Sequence, residues 1–162
     1  MDQDLLDAIA AELANLPGVT TVTQTASNLS ALPGPVILLR LDRAVPDENP
    51  GDGRLVLNLY INAHLLVDKT ATNADQTARR LSIDTLNLVN RAGNFGVAGA
   101  GQPRPVTTKR HLTDTIRPGH DITWAAAWTA HWTQKIVVGN AIWQEDGVTP
   151  IELIINGHRC DD

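Results

Sequence analysis

The stretch LVLNLYINAHLLV, residues Leu55–Val67, decides the fold of this protein. Its apolar side chains recur at every second position, and Asn58, Tyr60, Asn62 and His64 stand between them. Successive side chains of a β-strand point to opposite faces of the sheet. The alternation therefore predicts a long strand with one face in the core and one polar face.

The length of this strand indicates an interaction surface. Fully extended, the stretch would reach about 43 Å, which is longer than a compact domain of this size needs. An end that projects beyond the domain would expose Leu65, Leu66 and Val67. Because an exposed apolar patch of that kind needs a neighbour, we expect these three residues to contact a partner protein.

Helical periodicity flanks the central strand on both sides. After it, Asn73 with Gln76 three residues later predicts a helix N-terminus, and Gly93 predicts its end. Before it, apolar residues three and four positions apart predict an amphipathic N-terminal helix; they are Leu5, Leu6, Ile9, Leu13 and Leu16.

Further strands are predicted on either side of these elements. Val19–Thr25 and Pro35–Asp42 are rich in β-branched or aliphatic residues. In Ile122–Gly139, tryptophan, alanine and isoleucine alternate with Thr129, His131, Thr133 and Lys135. Thr149–Asn156 is expected to pair antiparallel with the strand before it. The order predicts one α+β domain over residues 1–162, with a mostly antiparallel or mixed sheet of about four to five strands and two helices on one face.

Glycine and proline dominate the segment that follows the second helix. We expect a flexible basic loop over about 93–121 and a short C-terminal tail over 157–162. The loop carries Arg104, Lys109 and Arg110, whereas most of the remaining chain is acidic. This segregation of charge predicts that the three cations dock onto an acidic surface of a protein partner.

Composition narrows the class of protein. The chain has 162 residues, of which 43% are hydrophobic and 19% charged, and its formal net charge is −5. These values exclude intrinsic disorder and argue against a general nucleic-acid binder. No apolar run approaches the roughly 20 residues of a membrane span. The single cysteine, Cys160, cannot form an internal disulfide, which fits a reducing cytoplasm.

Motifs for catalysis or metal binding are missing from the sequence. The five histidines lack the spacing of a zinc site, and no glycine-rich phosphate loop or nucleophile elbow is present. We therefore expect no catalytic residue, no cofactor and no metal. One alternative stays open: a small ligand-binding or enzymatic domain that uses His64, Tyr60 and His131 on the polar face of the sheet.

The order of these segments resembles a known family. The N-terminal helix, the central strand followed directly by a helix, and the late strand WAAAWTAHWTQKIVVG (Trp124–Gly139) are similar to the tail terminator, or tail completion, proteins of long-tailed bacteriophages. The longer loops, 44–53 and 93–121, depart from the simplest members of that family.

The resemblance implies a structural virion protein of the tail or neck that is assembled in the host cytoplasm. Such a protein forms a hexameric ring, caps the head-proximal end of the tail tube protein and gives the head-tail connector protein a docking surface. DNA passes through its lumen without sequence-specific binding. Another neck or tube component, such as a head-tail joining protein, is the alternative within the same class.

Overall fold

A computed structural model describes residues 2–25, 34–48, 51–68, 71–111, 124–139, 154–155 and 158–159. The helices are α1 (Asp2–Leu13) and α2 (Ala74–Ala92). The strands are β1 (Thr21–Thr23), β2 (Val36–Pro46), β3 (Leu55–Asp68), β4 (Ala100–His111), β5 (Trp124–Val138), β6 (Ile154–Ile155) and β7 (His158–Arg159).

Five strands form one mixed sheet in the order β1-β2-β3-β5-β4. β1 runs parallel to β2, and the other neighbouring pairs are antiparallel. β3 lies in the middle, where Ile61 is paired with Leu41 of β2 and with Trp132 of β5. The predicted α+β fold, with a mixed sheet and two helices, is confirmed.

One face of the sheet carries both helices and the hydrophobic core. The apolar stripe of α1 packs there with that of α2, as the periodicity predicted, and Trp132 is fully buried between them and the sheet. The largest buried side chains of this core include Leu5, Ile9, Leu13, Leu39, Leu59, Ile61 and Leu65. No described helix combines the length and apolar character that crossing a membrane requires.

α2 begins after Asn73 and ends at Gly93, as the sequence predicts, but no side-chain hydrogen bond caps its start. Asn73 occupies the N-cap position in the left-handed region (φ 60°), and its side chain makes no capping hydrogen bond. Asn73 is therefore the N-cap residue, as predicted, but its side chain does not cap the helix. Gly93 ends the helix with a positive φ of 64°, and its N–H donates to the carbonyl of Val89.

The expected flexible loop over 93–121 is wrong for much of its length. Ala100–His111 forms the edge strand β4, which pairs with β5 and is interrupted by two register shifts. An edge strand with bulges tolerates Pro103 because one side of it has no ladder to complete. Residues 112–121 lie outside the described part of the chain.

A buried glutamine fastens this edge strand to the core. The Nε2 of Gln134 donates to the carbonyl oxygens of Gly93, at 3.0 Å, and Gly101, at 2.9 Å. Its Oε1 accepts from the indole Nε1 of Trp132 at 3.3 Å. The glycine-rich segment is thus held at the end of α2 and at the start of β4 by one side chain.

The C-terminal pairing also differs from the expectation. β6, in the expected strand 149–156, pairs with β7, in the expected tail 157–162, and the two form a separate two-stranded sheet; residues 149–153 lie outside the described part of the chain. β5 was the expected partner of this segment. β3 and β4 already pair with the two edges of β5, so β5 has no free hydrogen-bonding edge for a further strand.

The expected exposure of Leu65, Leu66 and Val67 is wrong. Their side chains are 0%, 1% and 2% exposed. Leu65 lies in the main core, and Val67 packs beside Ala78 of α2. The opposite end of β3 is the uncovered one: Leu55 is 48% exposed there.

Candidate functional site

The side of the sheet that faces away from the helices carries many polar and basic side chains, between the buried Leu38 and Leu66 at one end and the exposed Val45 at the other. We call it the polar sheet face. Register and alternation place the following residues on it: Arg40, Arg43, Asn58, Tyr60, Asn62, His64, Arg104, Thr107, Lys109, Thr129, His131, Thr133 and Lys135. The face extends over β2, β3, β5 and β4, so residues distant in sequence become neighbours.

One row of side chains crosses all four strands. Arg43 is paired with Tyr60, Tyr60 with Thr133, and Thr133 with Arg104. Neighbouring strands are separated by about 4.8 Å, so the row is about 14 Å wide. The guanidinium of Arg43 lies 4.2 Å from the centre of the Tyr60 ring, a cation–π contact that fixes one end of the row.

The two histidines of this face are held by hydrogen bonds to neighbouring strands. Nδ1 of His64 lies 2.7 Å from the hydroxyl of Thr129. Nδ1 of His131 lies 2.7 Å from Oδ1 of Asn62, and its ring stacks on Tyr60 with a centroid distance of 6.3 Å. These contacts fix the orientation of both imidazole rings on the polar sheet face. His64, Tyr60 and His131, the residues of the open alternative, therefore do share one surface.

A groove of about 390 Å³ opens at one end of the polar sheet face. It is lined by Asn58, Gly101, Gln102, Arg104, Thr133 and Lys135. The Nζ of Lys135 forms an ion pair with the carboxylate of Asp47, which follows β2. Hydrogen bonds from Lys135 and then from the Glu48 backbone hold the pKa of Asp47 below its ordinary value, and Asn58 adds to this effect.

The three cations assigned to the loop do not act together. Arg104 and Lys109 extend from β4 on the polar sheet face, and both are exposed. Arg110 lies on the other face, where its Nε is 3.1 Å from a carboxylate oxygen of Asp75 in α2. Trp128 donates its indole N–H to the same carboxylate at 3.2 Å. Arg110 is therefore part of the contact between the sheet and α2.

A further ion pair, between Asp52 and Arg54, lies just before β3. The side chain of Arg54 donates to Asp52 at 2.6 Å, and the Arg54 backbone N–H donates to the same carboxylate at 3.1 Å. The hydrogen bond from the Arg54 side chain lowers the pKa of Asp52, and Asp52 in turn raises the pKa of Arg54. This pair closes the turn between β2 and β3.

Comparison of the sequence with known proteins adds no assignment. No protein-family model and no curated protein matches it.

The chemistry of the polar sheet face is that of anion recognition. Guanidinium, ammonium, amide and hydroxyl donors lie side by side on it, and carboxylates and phosphates accept from such donors. Within the described residues, no three His, Cys, Asp or Glu side chains are grouped as metal ligands would be. The donors of this face can therefore bind an acidic surface.

Sequence reasoning missed part of this face. Arg40 and Arg43 were not selected because they belong to different alternation phases of β2, and only the register shift between Leu41 and Arg43 brings both to the polar side. Lys135 could have been found, because it continues the alternation of polar residues in β5.

Proposed function

We propose that this protein is a structural subunit of a bacteriophage tail, of the tail terminator type. In this role, copies of the chain close into a ring at the head-proximal end of the tail tube, and the ring offers a docking surface to the head connector. DNA passes through the lumen. The order of segments in the sequence first suggested this role, and three features of the fold support it.

The observation that carries the proposal is the uncovered end of the β2–β3 hairpin. β3 has 14 residues and spans about 46 Å, whereas the 19 residues of α2 span about 28 Å. The sheet therefore extends beyond the helices, and this end bears Leu55 on the helix side and Val45 on the polar side, which are 48% and 38% exposed. Apolar side chains exposed at a strand end are stabilised when a neighbouring protein covers them.

Two other features agree with a protein that works by contacts. The described helices lie on one face of the sheet, and on the polar sheet face Arg40, Arg43 and Arg104 are exposed, so this part of the face is accessible to another molecule. β4 is an edge strand whose outer side has no strand beside it in the described sheet. Bulges and charged side chains prevent an edge strand from pairing with strands of other molecules at random, so contacts at β4 can remain specific.

Electron microscopy of the purified chain tests the proposal directly. We expect closed rings in negative stain, either at high protein concentration or after addition of tail tubes, and one ring at the end of each tube. Long tubes would instead identify a tube component. A chain that stays monomeric under all these conditions would refute the assignment.

A matched pair of variants tests the role of the hairpin end. Leu55→Glu places a charge on the exposed apolar end, and we expect it to reduce ring formation by about tenfold while the thermal unfolding midpoint stays close to that of the wild type. Ile83→Glu is the control, because Ile83 is 44% exposed on α2, away from the hairpin. Equal ring formation by both variants and the wild type would contradict the assignment of the hairpin end.

A further inference from the structure

Apart from Lys135, the cations of the polar sheet face lack acidic partners within the described part of the chain. Arg40, Arg104 and Lys109 are exposed, and none of them forms an ion pair with a described carboxylate. Arg43 contacts the ring of Tyr60 instead of an acid. Grouped like charges of this kind repel one another, and an acidic surface placed against them would relieve the repulsion.

The groove shows which chemical group this face accepts. The carboxylate of Asp47 contacts two residues that line it, through an ion pair to Lys135 and a hydrogen bond to Asn58. Arg104 lines the same groove and has no such partner among the described residues. A second carboxylate, brought by another molecule, would find at Arg104 the type of contact that Asp47 makes at Lys135.

The complementary surface is present on the same chain, at the opposite side of the sheet. α1 contains Asp2, Asp4, Asp7 and Glu12 and has neither lysine nor arginine. The side chains of Asp4, Asp7 and Glu12 are exposed, because the apolar stripe of the helix faces the core. α2 lies in the same layer but carries exposed Arg79, Arg80 and Arg91, so charge selects α1 over α2.

We propose that the polar sheet face binds helix α1 of a second copy of this chain. Arg104 and Lys109, with Arg40 and Arg43 beside them, contact the exposed carboxylates of the neighbouring α1. This inference rests on the proposed function, since it names the contact by which subunits of a ring would recognise one another. It also separates Arg104 and Lys109 from Arg110, which is used within its own subunit.

The position of the two surfaces fixes the type of assembly. A two-fold dimer uses the same patch on both subunits, whereas here the acidic helix and the basic face lie on opposite sides of one sheet. Contacts between them are therefore head-to-tail. Each subunit keeps one surface free for the next, and the series ends only when a ring closes.

Charge reversal on each surface gives a sharp test. The face variant is Arg104→Glu with Lys109→Glu, and the helix variant is Asp4→Lys with Glu12→Lys. Alone, each variant presents like charges at the contact, and we expect its self-association, measured by analytical ultracentrifugation, to weaken by about tenfold or more. The control, Arg80→Glu with Arg91→Glu, makes on α2 the same change in net charge as the face variant and should associate as the wild type does.

Mixing the two variants in equal amounts distinguishes a paired contact from a general effect of charge. In an alternating ring every acidic face meets a basic helix, and every basic face meets an acidic helix. We therefore expect the mixture to recover the self-association of the wild type. Circular dichroism and thermal melting of each variant confirm that it is folded before association is compared.

Each remaining outcome overturns the contact in a recognisable way. If the wild type forms rings and the face variant does so equally well, the docking proposal fails while the ring function stands. If both variants lose association but the mixture does not recover it, α1 is not the partner. A wild type that binds a short single-stranded oligonucleotide in a salt-dependent manner, lost in the face variant with rings intact, would identify a phosphate polymer as the occupant instead. A wild type that never associates would refute ring and contact together.

Discussion

Gln134 offers the most direct test of how the glycine-rich segment is held to the core. Its side chain is fully buried, donates to the carbonyl oxygens of Gly93 and Gly101, and accepts from the indole of Trp132. Leucine has a similar volume but can make none of these three hydrogen bonds. Each bond contributes about 1 kcal/mol to the free energy of unfolding, so their loss costs about 3 kcal/mol.

Two further effects act on this figure in opposite directions. The buried indole N–H and the two carbonyls are left without their partner, which adds to the cost, and the apolar leucine gains from burial, which reduces it. We expect Gln134→Leu to lower the free energy of unfolding by about 2–3 kcal/mol. For a chain of this size that corresponds to a fall of about 5–10 °C in the unfolding midpoint.

Urea denaturation followed by circular dichroism measures the change. Gln76→Leu is the matched control, because Gln76 is exposed near the start of α2 and its replacement should change the stability by less than about 0.5 kcal/mol. Hydrogen exchange at the amides of β4 should also rise in Gln134→Leu, since the segment loses its attachment. A loss of stability no larger than that of the control would refute the reasoning.

Two other substitutions test local features of the fold. The hydroxyl of Thr85 in α2 is buried without a hydrogen-bond partner among the described residues. Thr85→Val should therefore raise the free energy of unfolding by about 1 kcal/mol, whereas Thr85→Ser should lower it. A Thr85→Val variant less stable than the wild type would show that the hydroxyl is paired. The lowered pKa of Asp47 means that its pairing with Lys135 adds stability above the ordinary pKa of aspartate, and that this contribution is lost as the pH falls through the lowered value. Asp47→Asn should therefore be less stable than the wild type at neutral pH, and the difference in urea denaturation should disappear in acid; a constant difference at all pH values would contradict the ion pair.

Much of the secondary structure could be predicted from the sequence because its signals are local. Alternation in Leu55–Val67 indicated β3, and the burial of Leu59, Ile61, Ala63 and Leu65 against the helices confirms which face is apolar. The strand assigned to the tryptophan-threonine pattern is β5, and Trp132 is in the core. These elements follow from side chains that are close in sequence.

Prediction was wrong where a distant partner decides the outcome. Gly101 and Pro103 are typical of a loop, yet the segment is a strand because β5 supplies a ladder for it and Gln134 binds its first residues. Leu65–Val67 were expected at a projecting end, yet all three are buried, and Leu65 and Val67 pack against residues of α2. The formation of β4 and the burial of Leu65–Val67 do not depend on the local sequence alone, because strand pairing joins residues far apart in the chain.

The sequence by itself determined the two amphipathic helices, the alternating strands, the acidic α1 and the basic residues of β4. Only the tertiary structure decided how they are combined. The strand order brings Arg43 of β2 and Arg104 of β4 into one row across Tyr60 and Thr133, and it separates Arg110 from its neighbour Lys109. The physical reason is that side-chain direction alternates along a strand, so register and bulges, which are set by non-local hydrogen bonds, assign each charge to a face.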